Sequence, residues 1–181
     1  MDIRYERIPV DEAWRCRDLC NSLMAYQRSK TRITPERFDD MRFETRLLPS
    51  LKGALHNFLM TARHQDRDIA YVYCCIAPKE TYDNAFARFF DLDSVQGALV
   101  GCLSQFYIDA PYRGLGIGSE LYRHAMAWFS GFPEVEDLFV FVSNGNTEAQ
   151  RFYEQRGFQV SHAILEGFIT VLRQQQPGVR R

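Results

Sequence analysis

A chain of 181 residues, 46% hydrophobic and 25% charged, has the length of one domain and enough apolar residues to bury a core. A net charge of -1 offers no bulk attraction for nucleic acid or an anionic lipid surface, and no apolar run reaches the length of a membrane span. Five cysteines without a CxxC pair read as reduced thiols rather than zinc ligands, so no metal is expected, and the start MDIRYERIPV lacks a basic segment followed by an apolar core, which points to the cytoplasm.

In chain order, IRYERIPV alternates as a first strand, and Asp11 is placed to cap a helix with Cys16, Leu19, Cys20, Leu23 and Met24 on one face. That shared stripe favours packing over metal binding for Cys16 and Cys20. Thr34 followed by Pro35 opens a second helix. SLKGALHNFLMTAR has helical spacing at first and strand character later, and divides near Asn57. HQDRD then turns into the strand IAYVYCCIA, whose expected antiparallel partner is ALVGCLSQFYI. Between these two strands, PKETYDNAFARFFDLDSVQG is too long for a hairpin and is either a lid or a surface insertion, with Phe86, Phe89 and Phe90 favouring some packing. The histidines at 56, 64, 124 and 162 are scattered and suggest no catalytic cluster.

After the strand ending at Ile108 comes DAPYRGLGIG, then a helix with Ile117, Leu121, Ala125 and Phe129 on its inner face, stopped by Gly131 and Pro133. LFVFV (138–142) has the unbroken apolarity of a strand covered on both faces, and a further helix runs from Thr147 to Arg156 with Gly157 ending it. Strand, helix, strand, helix implies parallel pairing in an α/β sheet, with ligands beyond the carboxyl ends of the strands. Three glycines at 114, 116 and 118, just ahead of a helix, leave backbone N–H groups without intrahelical partners, so Leu115 to Ser119 read as an anion cradle beside Arg113. A tight turn with no ligand is the alternative. Ser119 stands where a GxGxxG dinucleotide fingerprint needs glycine, and GxxxxGK[ST] is absent.

What fits is Arg113-Gly114-Leu115-Gly116-Ile117-Gly118 as Gln/Arg-x-x-Gly-x-Gly/Ala, followed at 146–158 by NTEAQRFYEQRGF. In these two runs the chain resembles the GNAT superfamily of acyl-CoA-dependent N-acetyltransferases. The resemblance implies one domain over 1–181 with an α/β fold, a mixed, splayed central sheet flanked by helices, an acyl-CoA-binding core at about 98–158 and an insertion at about 78–97. It implies acetyl-CoA as cosubstrate. Gly114, Leu115, Gly116, Ile117, Gly118 and Ser119 would hold its pyrophosphate with Arg113, and the backbone of Phe106, Tyr107 and Ile108 its pantetheine arm. Asn146 would help hold the cofactor or an ordered water, cap a helix, or both, and Tyr153 would either protonate the departing thiolate or simply pack its ring.

The chemistry so implied is direct attack of a neutral amine on the thioester, which asks for no activated cysteine or serine. The histone-modifying branch carries a glutamate on the central strand, whereas Ala98 to Ile108 has no carboxylate, so the base is water or an acid from elsewhere, with Glu44 and Glu80 as candidates. The acceptor is an amine-bearing small molecule or peptide. Glu80, Asp83, Asp91 and Asp93 lean toward a cation such as a polyamine, while RSKTRITPERFDDMRFETR suits an acidic substrate or a solvated surface. No nucleic-acid or membrane partner is expected, and a homodimer is left open. The rival readings are a non-catalytic acyl-CoA sensor and, disfavoured by Ser119 and the late position of the loop, a dinucleotide-dependent oxidoreductase.

Overall fold

The structure is a computed structural model that describes residues 1–83 and 89–176. Among them seven strands, β1 (Ile3–Arg7), β2 (His56–His64), β3 (Arg67–Pro78), β4 (Leu99–Ile108), β5 (Val135–Ser143), β6 (Gln159–Ile164) and β7 (Ile169–Gln175), form one sheet in the order β1-β2-β3-β4-β5-β7-β6. Its helices are α1 (Arg17–Lys30), α2 (Leu47–Gly53), α3 (Ile117–Phe129) and α4 (Thr147–Glu154). Neighbouring strands are antiparallel except β4 and β5, which are parallel because α3 carries the chain back between them. This is the mixed α/β sheet expected, with the antiparallel β3–β4 pair in place.

Alternation along β3 divides the core in two. Val72, Cys74 and Ile76 face Leu121, Ala125 and Phe129 of α3, whereas Tyr71, Tyr73 and Cys75 face Leu19, Cys20 and Leu23 of α1. Gly101 on β4 lets α3 come close, since a Cβ there would lie 2.7 Å from Phe129 Cε1 and 2.5 Å from Leu138 Cδ2. Cys16 and Cys20 are buried packing residues, and burial pushes the Cys20 thiol up to about 11.

Several local expectations shift. The first helix starts as a 3-10 turn over Val10–Cys16 that follows Pro9, so Asp11 lies inside the first turn instead of capping it. The second helix is two pieces, a 3-10 turn at Pro35–Phe38 and then α2. Thr34 does precede Pro35, but its left-handed backbone (φ 47°) leaves Oγ1 without a partner, and the Arg37 N–H bonds the Thr34 carbonyl instead. The break near Asn57 falls at Ala54 and Leu55, one residue before β2 begins at His56.

The insertion packs onto the sheet face opposite α3. Phe90 stacks on Phe139 at 4.4 Å, Phe89 meets Phe141 edge-on at 5.0 Å, and Arg173 ties Ser94 to the buried Asp137. Phe86 lies outside the described residues. Phe90 is 2% exposed, so Phe90→Ala should lower the unfolding free energy by about 3 kcal/mol in urea titrations. A loss under about 1 kcal/mol would show that the segment rests on the sheet without being part of its core.

Candidate active site

β4 and β5 pair from Leu99/Val135 to Leu103/Val140 and then part, although β4 continues to Ile108 and β5 to Ser143. On the other side of β4, the register shifts between Tyr73 and Cys74 so that Gln105 and Leu103 are paired and Ser104 is skipped. Ser104 therefore has a register partner on neither neighbouring strand, and it is the first residue of β4 beyond its pairing with β5. The gap opens into a cavity of about 490 Å³. Such a gap in a sheet offers unpaired main-chain donors and acceptors to a ligand lying where a strand would be.

At one part of the cavity wall, α3 begins. Gly116 is its N-cap with φ 82°, and Gly114 has φ 75°; a Cβ on either would meet nothing within 4 Å. The first bond into the helix runs from the Glu120 N–H to the Gly116 carbonyl at 3.2 Å, which leaves the N–H groups of Ile117, Gly118 and Ser119 without helical acceptors. With the positive end of the helix dipole, they make an anion-attracting corner. Leu115 is 53% exposed and the Ile117 side chain is buried in the core between α3 and the sheet, and neither lines the cavity. Two guanidinium groups stand beside this corner. Arg113 donates to the Ile108 carbonyl at 3.0 Å and lies 4.3 Å over the Tyr26 ring, while Arg156 donates to Ser119 Oγ at 2.9 Å and lies 3.5 Å over Phe152.

Asn146 and Tyr153 line the same cavity from the α4 side. Asn146 caps α4, its Oδ1 accepting from the Ala149 N–H at 3.3 Å. Tyr153 packs its ring between Phe152 and Phe158, with centroids 5.3 Å and 5.7 Å away, and among the described residues its hydroxyl has no hydrogen-bond partner. Burial first, and the neighbouring Cys74 and Cys102 next, push its pKa far above that of a free phenol, so the hydroxyl keeps its proton.

The cavity thus gathers Phe106, Tyr107, Ile108, Arg113, Gly114, Gly116, Gly118, Ser119, Asn146 and Tyr153 from one strand, one loop and two helices. Glu44 and Glu80 do not line it. Glu44 is exposed and ion-paired with Arg17 at 3.0 Å, and Glu80 sits in an exposed turn. Sequence reasoning missed Tyr26, Glu148 and Arg156. The Tyr26 hydroxyl donates to Glu148 Oε2 at 3.1 Å, joining α1 to α4 across the cleft. Gly145 lets those helices meet, because a Cβ there would collide with the Lys30 carbonyl. Tyr26 follows Leu23 by three residues on the same helix face, and Arg156 lies inside the NTEAQRFYEQRGF run, so both left a trace in the sequence; the Tyr26–Glu148 contact, 122 residues apart, left none.

Comparison with known proteins points the same way. The fold resembles the PaiA N-acetyltransferase of Thermoplasma acidophilum, solved with coenzyme A (TM-score 0.68, 13% identity, 97% of this chain and 100% of that one). It also resembles Arabidopsis thaliana NAA60 with a bisubstrate analogue (TM-score 0.63, 15% identity, covering 98% and 99%) and Naa50 of the same plant with the bisubstrate analogue CoA-Ac-MVNAL (TM-score 0.61, 16% identity, covering 96% and 99%). In sequence, "Probable N-acetyltransferase san" of Drosophila melanogaster is 34% identical over 61 residues, which is 34% of this chain and only 30% of that protein. The sequence model of the acetyltransferase (GNAT) family matches residues 18–158, from the start of α1 to the end of the NTEAQRFYEQRGF run, and the chain belongs to that family.

Proposed function

We propose that this enzyme transfers the acetyl group of acetyl-CoA to a primary amine of a peptide or small molecule, by direct attack within a ternary complex, and that residues 1–181 form one acetyltransferase unit with its acyl-CoA-binding core at about 98–158. The observation that carries this reading is the shared cleft: an unpaired helix N-terminus with two arginines and a protonated, unpartnered tyrosine line one gap between parting strands. The solved relatives support it, since NAA60 has been captured with acetyl-CoA and PaiA with coenzyme A.

In this reading the N–H groups of Ile117, Gly118 and Ser119 hold the pyrophosphate, with Arg113 and Arg156 adding charge. Phe106 to Ile108 offer the pantetheine arm the main-chain groups that β5 no longer uses, apart from the Ile108 carbonyl that Arg113 occupies. The main-chain N–H groups of β4 on the side that β5 has left are suited to polarise the thioester carbonyl as charge develops on its oxygen. Tyr153 gives its proton to the departing thiolate, which lowers the barrier to collapse of the tetrahedral intermediate. Because Glu44 and Glu80 stand outside the cleft and Glu148 is engaged by Tyr26, the proton of the incoming ammonium leaves through water.

Steady-state rates of thiol release with both substrates varied test the order of events. Direct attack gives intersecting double-reciprocal lines; parallel lines together with an isolable acetyl-enzyme would overturn it.

A further inference from the structure

Arg113 is held by groups that leave its charge uncompensated. Its Nε donates to the Ile108 carbonyl at 3.0 Å, and the guanidinium carbon lies 4.3 Å from the centroid of the Tyr26 ring and 5.5 Å from that of Tyr107. Glu148 meets the same tyrosine at its hydroxyl, accepting from it at 3.1 Å. Arg113, Tyr26 and Glu148 all line the cleft. Among the described residues, however, neither Arg113 nor Glu148 takes part in an ion pair.

An arginine and a carboxylate that share a neighbour in a partly enclosed cleft gain by pairing with each other, and such a pair offers an anion no net charge. Tyr26 engages each of them separately, the cation over its ring and the carboxylate at its hydroxyl. Burial first, then the bond to Glu148, raises the pKa of the phenol, so its hydroxyl stays a donor. Donation to a carboxylate also makes the ring richer in electrons, which strengthens its hold on a guanidinium. The other cation over this ring is the ammonium of the solvent-exposed Lys30, at 5.3 Å.

We propose that Tyr26 is a positioning residue for the acyl-CoA pyrophosphate: it holds Arg113 beside the N-terminus of α3 and keeps Glu148 from neutralising it. Tyr26 acts through Arg113 and need not touch the phosphates itself. An arginine fixed in this way meets a phosphate without giving up a carboxylate partner and with little side-chain freedom left to lose. The assignment rests on the acyl-CoA reading of the cleft given above.

The test is acetyl-CoA binding by calorimetry, with melting temperatures measured beside it. Tyr26→Leu should weaken binding about tenfold, and Tyr26→Phe, which keeps the ring but releases Glu148, about threefold. In an Arg113→Ala background Tyr26→Leu should cost less than about twofold further, because no guanidinium is left to place. Glu148→Gln should recover about threefold or more of the loss in Tyr26→Leu, yet gain less than about twofold in the parent, where the carboxylate is already occupied. A Tyr26→Leu loss that persists in full after Arg113→Ala, as loosening of α1 would give, overturns the assignment. So does an equal effect of Glu148→Gln with and without Tyr26. Should Tyr26→Leu fail to fold, Tyr26→Phe enters the same cycles: its loss must vanish after Arg113→Ala and be recovered by Glu148→Gln, and losses that simply add overturn the assignment. If the parent binds no acetyl-CoA, the acyl-CoA reading falls and the assignment with it; if it binds and the losses add, the assignment falls alone. Coupled losses in a protein that transfers no acetyl group support the assignment and contradict the transferase reading.

Discussion

Tyr153→Phe should lower kcat about a hundredfold while acetyl-CoA affinity and melting temperature stay near those of the parent. The ring that remains fills the same space between Phe152 and Phe158, and the hydroxyl that is lost has no partner among the described residues, so nothing buried is left unsatisfied. The loss therefore belongs to the transition state, where the phenol's proton meets the departing sulfur. The lower end of the general-acid range is expected, because a thiol leaves more readily than an alcohol or amine. The pKa shift gives two further expectations. A phenol that ionises near 10.0 when unfolded and well above it when folded keeps its proton in the native state, so the rate should rise as the amine deprotonates and show no fall below that pH from Tyr153. Stability from this group is complete below 10.0 and declines as pH rises above it, since only the unfolded chain then gives up the proton. A Tyr153→Phe enzyme within about threefold of the parent rate would assign the tyrosine to packing and the proton to another donor.

Gly116→Val should weaken acetyl-CoA binding at least tenfold, or about 1.4 kcal/mol, in calorimetry. With φ at 82° and no protein atom within 4 Å of its Cβ position, Gly116 faces open space that the proposed pyrophosphate needs. Valine fails twice there, because a β-branched residue is strained in the left-handed region and its methyl groups project from the corner. Gly118→Val separates these effects. Its backbone is not left-handed, and its Cβ would lie 3.2 Å from Ile108 Cδ1 and 3.5 Å from Phe152 Cε2, two side chains that line the cleft. That variant should narrow the cavity with less strain on α3, and the same direction of affinity loss is expected. Unchanged affinity in both, with the melting transition intact, would remove the helix N-terminus from the binding site.

What the sequence made legible was local. The glycine run, the stripe Ile117, Leu121, Ala125 and Phe129, and the apolar LFVFV each announce their structure within a dozen residues, and each stands where expected. The aromatic content of the insertion likewise signalled packing, which Phe89 and Phe90 provide. The last two strands carry little signal in the sequence, since β6 (QVSHAI) leaves most of its residues exposed at the sheet edge and β7 (ITVLRQQ) ends in polar residues. Nor could charge alone place an acid: Glu44 and Glu148 look alike in sequence, yet one pairs with Arg17 at the surface and the other closes the cleft with Tyr26. The one-residue register shift at Ser104, at the point where β4 parts from β5, is not encoded in periodicity.

The central claim is that binding acetyl-CoA leads to transfer. Purified protein incubated with acetyl-CoA and a panel of primary amines and short peptides should release free coenzyme A thiol and acetylated amine in equal amounts, both abolished when the amine is omitted. Tight acetyl-CoA binding with no thiol released for any amine would contradict that claim and leave a sensor that recognises the acyl-CoA without consuming it.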